Sequence, residues 1–295
     1  KYFEINNQIN KISLKPNFIF SDTEYMHNTL FKFWLAKMIT KKIPFYTGQH
    51  GGYWGNNRQP IHLNDVFTKN NVKWHARIRK DNIQMPVPQL RSFLDKRLKN
   101  NKSKSILFIG HNTTQFPRYI GTGPICNEIF DQVKSIKKFI KKIEIEKKKI
   151  YFRPYKHTRY WKIEKELKKD TNLRIIEKDK LYRKLFNKAK LIVTTHPRTA
   201  FLEALISGPT IIILNKKHYL EEGKLSKVMN DLKKVKIMFT HSEQAAKHLN
   251  KVWPNIDSWW QNKKVTKARE NFISTMSPTN KDSLNKWIKF LKNEY

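Results

Sequence analysis

The sequence predicts an α/β protein made of two Rossmann-like domains with parallel sheets. Three observations carry that reading. From about residue 104 onward, short apolar runs alternate with amphipathic stretches at helical spacing, the pattern of a doubly wound parallel sheet. The first hundred residues repeat part of the same alternation. The loops after Ile109, Phe152, Val193 and Leu214 are rich in polar residues, and ligands in such sheets sit beyond the carboxyl ends of the strands.

Taken in order, Asn17–Phe20 reads as a strand, Glu24–Thr40 as an aromatic-rich helix and Ile43–Tyr46 as a second strand. The loop Gln49–Gly55 follows directly. Residues 81–103 carry Pro86, Pro88 and polar runs, which suits an interdomain linker. Ser105–Gly110 is a buried strand ending at a glycine. Pro124 to about Ile145 places Ile125, Ile129, Phe130, Val133, Ile136 and Ile140 at helical spacing. Strands follow at Lys149–Arg153 (closed by Pro154), Leu173–Ile176, Lys190–Thr194 and Pro209–Leu214, with a sixth over Val235–Phe239. Helices are expected near 160–169, from Asp179 to Lys188 and over 199–207. The tail reads as helices 256–275 and 281–293, with Pro278 between them. No internal repeat is visible. The division expected is residues 1–100 as one α/β unit plus linker, 101–275 as a complete Rossmann-like domain, and 276–295 as a C-terminal helix.

Composition narrows the function. In 295 residues, 39% hydrophobic and 13% aromatic content is enough for a packed core and excludes wholesale disorder. A single cysteine, Cys126, excludes a disulfide framework and a cysteine-based zinc site. No apolar run reaches the ~18–20 residues of a membrane span, and no signal peptide is visible. The chain opens on Lys1 and a polar, Asn-rich stretch. It reads as the C-terminal part of a longer polypeptide, with the N-terminal domain incomplete. The net charge is +36, but only 12 of the 60 basic residues are arginine. Phosphate and nucleic-acid sites favour the planar arginine fork, so most of this charge reads as solvated lysine. Attraction to an anionic membrane leaflet or a polyanionic substrate is the alternative. No RRM, KH or zinc-finger module occurs, and nucleic acid is not expected as a partner.

Four loops could carry chemistry. His50 is the titratable group of Gln49–Gly52, at a strand end, and is suited to general-base work near neutral pH. Gly51 and Gly52 permit close backbone approach to a phosphate. Asn112 and Thr113, after the first strand of the second domain, offer donors to a phosphate or a sugar. Arg153, Tyr155 and His157 end the next strand, and Arg153 can bind a phosphate through paired charge-assisted bonds. The stretch Thr194–Thr210 is the most informative. Thr194, Thr195, Arg198 and Thr199 lead into a helix N-terminus, a ready phosphate site. Glu203 follows Thr199 by four residues on the same helix face, where it can accept two ribose hydroxyls. Each loop also has an ordinary structural reading, as a turn, a strand end or a helix surface. Trp253, Trp259, Trp260 and Phe272 read as packing of the tail. His27, His62, His75, His218, His241 and His248 lack metal-ligand spacing. No G-x-x-x-x-G-K-[ST], G-x-G-x-x-G or D-x-D is present, so P-loop NTPase and dehydrogenase readings lose support, as does a metal on a nucleotide-sugar diphosphate.

Gln49–Gly52 with Tyr53 and Gly55, the Thr194–Thr210 block, and a tail of Ser242–Ala246, His248, Asn250, Trp253, Trp259, Trp260, Val265, Ala268, Arg269 and Phe272 together resemble the leptospiral-type transferases of bacterial surface-polysaccharide biosynthesis. The likeness covers most of residues 17–275. That family is GT-B-like and distantly similar to capsule Kdo transferases and CDP-glycerol glycerophosphotransferases. His196, Pro197 and Arg198 depart from the small or acidic residues expected after the threonine pair.

The resemblance implies a cytoplasmic, metal-independent transferase, at most peripheral at the inner membrane, with its site in the cleft between two domains. No cofactor is expected beyond a nucleotide-sugar donor acting as substrate, a CMP-linked acidic sugar being the donor favoured. The acceptor would be a polysaccharide or lipid-linked glycan, with residues 1–100 on the acceptor side. His50 is then the catalytic base. Gln49, Gly51, Gly52, Asn112, Thr113, Arg153, Tyr155, His157, Thr194, Thr195, Arg198, Thr199 and Glu203 bind substrate or donor. Glycerophosphate transfer from CDP-glycerol is the alternative within the superfamily; a non-catalytic basic protein that binds nucleic acid or anionic membrane is the alternative outside it.

Overall fold

The computed structural model describes residues 2–52, 70–74, 82–98, 104–111, 113, 115, 124, 128–146, 149–155, 161–177, 179–215 and 226–293. They form two compact units, the first from Lys1–Gly51, Ile61–Pro88 and Ser277–Tyr295, the second from Gly52–Pro60 and Gln89–Met276.

In the first unit, β1 (Ile19–Ser21), β2 (Phe45–Gly48), β3 (Asn71–Lys73) and β4 (Asn82–Gln84) make a parallel sheet in sequence order. Helices α1 (Tyr2–Asn10), α2 (Glu24–His27) and α3 (Thr29–Thr40) bury Ile9, Tyr25, Trp34, Leu35 and Met38 against Ile19 and Phe45. The expected single helix over 24–40 is broken at Asn28. Its backbone is extended (φ −98°, ψ 109°), and its side chain accepts the Phe31 N–H at 3.0 Å, so it caps α3 instead of continuing α2.

The second unit holds a six-stranded parallel sheet of β5 (Ile106–Ile109), β6 (Ile150–Arg153), β7 (Arg174–Ile175), β8 (Leu191–Thr194), β9 (Thr210–Ile213) and β10 (Met238–Phe239). The order β10-β9-β8-β5-β6-β7 is that of a Rossmann sheet, and it reverses between β5 and β8. Both faces are covered, which is why these strands read as continuous apolar runs. Ile106, Phe108, Leu191 and Val193 pack with α4 (Ile129–Lys142), α5 (Ile163–Asp170), α9 (Ser242–Val252) and α10 (Ile256–Gln261). Leu107, Ile109 and Ile192 face α6 (Asp179–Lys188) and Ala204 of α7 (Thr199–Ser207). Helices α8 (Ser226–Lys234) and α11 (Lys263–Met276) complete the unit. The tail helix expected over 256–275 is interrupted at Asn262, whose side chain accepts the Lys264 N–H at 2.9 Å. Trp260 and Phe272 are fully buried, and Trp253 and Trp259 pack against the main core.

The domain boundaries differ from the expectation at both ends. Residues 82–98 are not a plain linker. They supply β4 to the first sheet, then a 3₁₀ turn (Pro88–Phe93), and then Arg97, buried in the second unit. The last helix, α12 (Ser283–Asn293), belongs to the first unit. Trp287 donates its indole N–H to Pro86 O at 2.8 Å, Val87 N–H bonds Pro278 O at 2.8 Å, and Phe290 packs edge-on against Tyr46 at 5.7 Å.

Candidate active site

Two groups of side chains, one in each unit, can carry chemistry. In the second unit the group lies at the reversal between β5 and β8. Ile109 and Thr194 are register partners at the ends of those strands, and beyond them the chains diverge into Gly110–His111 and Thr195–Arg198. The Thr195 hydroxyl ties the two together, accepting the His111 N–H at 3.3 Å and a short bond from the buried Gln132 Nε2. The His111 and His196 rings stack with centroids 4.5 Å apart. Burial, and then the charge of Arg198, pull His196 down to about 3, so it is neutral at physiological pH. Its Nδ1 has no hydrogen-bond partner among the described residues. Thr194 is fully buried.

Helix α7 begins at this reversal. Arg198, at its N-cap, is extended and makes no side-chain cap bond, so the first-turn amides are not capped from that side chain. The Gly52 N–H donates to Thr199 Oγ1 at 2.9 Å. Only glycine fits there: a Cβ on Gly52 would lie 2.6 Å from Thr199 N and 2.8 Å from Leu202 Cδ1. One turn along, Glu203 is half-buried, and burial raises its carboxyl to about 7. Among the described residues no cation neutralises it. Its charge instead helps burial to raise the Tyr182 phenol.

Arg153 ends β6 as expected but is not an open anion receptor. It forms a short ion pair with Asp179 and lies over the Tyr182 ring at 5.2 Å. Tyr155 is exposed beyond Pro154. The Thr113 carbonyl accepts the Trp161 N–H at 3.4 Å. Asn112 and His157 lie outside the described residues.

In the first unit, β2 delivers Gln49, His50 and Gly51. Gln49 staples its own loop. Its Nε2 donates to Gly51 O at 2.7 Å, its Oε1 accepts the Trp74 N–H at 2.9 Å, and its backbone N–H bonds Val72 O at 3.0 Å. The Gln49 side chain thus helps to shape the loop. His50 is exposed, and its Nδ1 lies 2.8 Å from Asp22 Oδ2, just past the end of β1. Partial burial works to raise the Asp22 pKa. The hydrogen bond and charge of His50, with the Thr23 hydroxyl, outweigh it and hold the carboxyl below its ordinary value.

The structure thus adds Asp22, Asp179 and Gln132, which sequence reasoning did not name for the site, as partners of the candidates His50, Arg153 and Thr195. The first two partner their basic residues across 28 and 26 positions, a distance no local motif encodes. Among the described residues no group of three His, Cys, Asp or Glu side chains is placed to hold a metal ion, and no helix is long and apolar enough to cross a membrane.

Comparison with known proteins agrees with this architecture. MurG from Acinetobacter baumannii superposes with a TM-score of 0.54 at 9% identity, covering 99% of this chain and 77% of MurG. A variant of S. aureus TarM, solved with fondaparinux, α-GlcNAc-glycerol and UDP, superposes with a TM-score of 0.52 at 14% identity. That match covers 86% of this chain but only 52% of TarM. Both share the GT-B fold, so the expected α/β class with two parallel sheets holds. No curated protein matches the chain in sequence. Residues 1–291 match the profile described as LIC12162 family transferase.

Proposed function

The chain belongs to the LIC12162 family of transferases, and from that premise we propose that it moves a glycosyl group from a nucleotide-activated sugar to a hydroxyl of a surface-polysaccharide or lipid-linked acceptor. The observation that carries this reading is the β5/β8 reversal. There the Thr199 hydroxyl stands in the first turn of α7, one turn from a carboxyl poised near neutrality. The UDP held by TarM supports a nucleotide donor.

In this reading the Thr199 hydroxyl and the α7 amides take the donor phosphate, whose leaving charge falls to these dipoles and needs no metal. Glu203 accepts ribose hydroxyls. Arg153 with Asp179 and Tyr182 borders the donor. His50 removes the acceptor proton. A CMP-linked acidic sugar is the donor we favour. Contact with an anionic leaflet is supported by α12, where Leu284 and Ile288 are 52% and 43% exposed on a helix that carries Lys286, Lys289 and Lys292.

A donor panel tests the assignment: CMP-, UDP- and GDP-sugars and CDP-glycerol, scored by the nucleotide released, with wild type, His50→Ala and Glu203→Ala. We expect nucleotide release with transfer of a sugar, lowered about 10²–10⁴-fold by His50→Ala. Wild-type turnover in His50→Ala removes the base role. Turnover of CDP-glycerol alone replaces sugar transfer with glycerophosphate transfer.

A further inference from the structure

We infer that Asp22 is the positioning residue of His50, fixing the imidazole in the Nδ1–H tautomer so that Nε2 keeps the lone pair that accepts a proton. The inference rests on the base role proposed for His50. It assigns to Asp22 a part in the chemistry that its sequence context, a polar residue at a strand end, does not reveal.

The geometry is local and over-determined. β1 and β2 are adjacent parallel strands, with Ser21 paired to Thr47, so the residues just past their ends emerge side by side. Asp22 follows β1 at once, and His50 follows β2 by one residue. Both carboxylate oxygens are held: Oδ2 by His50 Nδ1 at 2.8 Å and Oδ1 by the Thr23 hydroxyl at 3.2 Å. The backbone at this corner is also fixed, because Ser21 Oγ accepts the Glu24 N–H at 3.1 Å as α2 begins. On the facing strand Gly48 leaves no Cβ, and one built there would sit 3.5 Å from the Asp22 Cβ and 2.7 Å from the Phe20 ring. A carboxylate is acceptor-only, so the nitrogen facing it must carry the proton. In a neutral imidazole that leaves the other nitrogen as acceptor. The His50 side chain is 71% exposed, so Nε2 remains open to a substrate hydroxyl while Nδ1 is anchored. An aspartate that orients and later stabilises a histidine is the arrangement by which imidazole bases are held to one tautomer in hydrolytic triads.

The test uses the full chain and separates tautomer from turnover. Histidine ring ¹⁵N spectra of the neutral protein identify the protonated nitrogen of His50, assigned by its loss in His50→Gln. Wild type should show a pyrrole-like Nδ1 and a pyridine-like Nε2. In Asp22→Asn the Thr23 hydroxyl keeps the amide oxygen on the Oδ1 side, which turns the NH2 donor to Nδ1, so the two resonances should exchange character. CMP release from a CMP-linked 3-deoxyulosonic acid should then fall about 10²–10⁴-fold in kcat with little change in donor KM. Asp22→Glu, which keeps the acceptor, should retain the wild-type tautomer and recover part of the rate. The inference is overturned if Asp22→Asn leaves the Nδ1–H tautomer in place, or if the tautomer switches while kcat stays at the wild-type value. Failure of the base role reads differently: His50→Ala would then turn over normally, whatever the spectra show for Asp22.

Discussion

The Arg97 guanidinium donates to the Ala204 carbonyl at 2.7 Å, in the last turns of α7. Its other donors reach Ser207 Oγ at 2.9 Å, Thr210 Oγ1 at 2.9 Å and Ala189 O at 3.4 Å. No carboxylate stands among these partners. The cation is held by carbonyls and by the negative end of the helix dipole. Burial lowers its pKa to about 9, so it stays protonated at neutral pH. The helix that begins at the candidate donor site is therefore closed at its other end by a residue that reads, in sequence, as part of a linker.

Arg97→Met keeps most of the volume but strips these acceptors of their donor. Each buried group left unsatisfied costs about 1–3 kcal/mol, so a loss on the order of 3 kcal/mol is expected after partial relaxation. Urea denaturation should show a lower midpoint at unchanged slope. Arg97→Lys should fall between the two, because a single ammonium cannot span the same acceptors. A midpoint for Arg97→Met equal to wild type would mean that the helix end is capped by other means.

Gly52→Ala should act on α7 from the opposite end. The new methyl would meet the Thr199 amide nitrogen and the Arg198 carbonyl carbon, 2.8 Å away, both backbone atoms that cannot rotate aside. Overpacking of this kind costs about 1–3 kcal/mol, and the shift falls on the Thr199 hydroxyl. Isothermal titration with CMP, UDP and GDP should show the nucleotide that wild type binds weakened at least tenfold. Unaltered affinity would place the nucleotide away from the start of α7.

Glu203 gives a pH signature. Burial raises its carboxyl to about 7 in the folded protein, from 4.5 for an ordinary glutamate. Between those values the folded state binds more protons than the unfolded one, so stability falls as pH rises from 4.5 to 7 and stays lower above it. Glu203→Gln removes the ionisation. Thermal melts of the two proteins should converge near pH 4.5 and separate by pH 8, with the glutamine variant more stable by roughly 1–3 kcal/mol. If wild type is the more stable protein at pH 8, a cation neutralises Glu203.

The residues that were legible in the sequence are those whose environment is local. Ile106–Ile109, Leu191–Thr194 and Thr210–Ile213 are buried on both faces, so their apolar runs announce a parallel sheet. β3 is equally buried, yet its residues are Asn71, Val72 and Lys73, and polar residues held by hydrogen bonds such as Thr47 Oγ1 to Asn71 at 2.5 Å give no hydrophobic signal. The candidate site follows the same rule. Thr195 and Thr199 could be found because a strand, a hydroxyl-rich loop and a helix follow one another in the chain. Arg153 could be found, but not its neutralisation by Asp179, and His50 could be found, but not Asp22. Pairings of that range are set by the sheet order and not by spacing along the chain.

The last prediction concerns α12. Trp287 and Phe290 turn inward, and Trp287 meets the Phe20 ring edge-on at 5.6 Å. At helical spacing, Leu284 and Ile288 then form one shoulder, with Lys289 and Lys292 exposed beside it. Apolar residues bordered by lysines are the pattern of a helix that lies in a bilayer interface, where each basic residue near an anionic surface adds about 1 kcal/mol. The double substitution Leu284→Asp and Ile288→Asp should leave the melting temperature nearly unchanged, because both side chains are already exposed. It should sharply reduce co-sedimentation with vesicles that contain phosphatidylglycerol. Binding of wild type should weaken as salt is raised and should be minimal on neutral phosphatidylcholine vesicles. Equal binding by the variant would assign the attraction to the diffuse lysine charge and not to this helix.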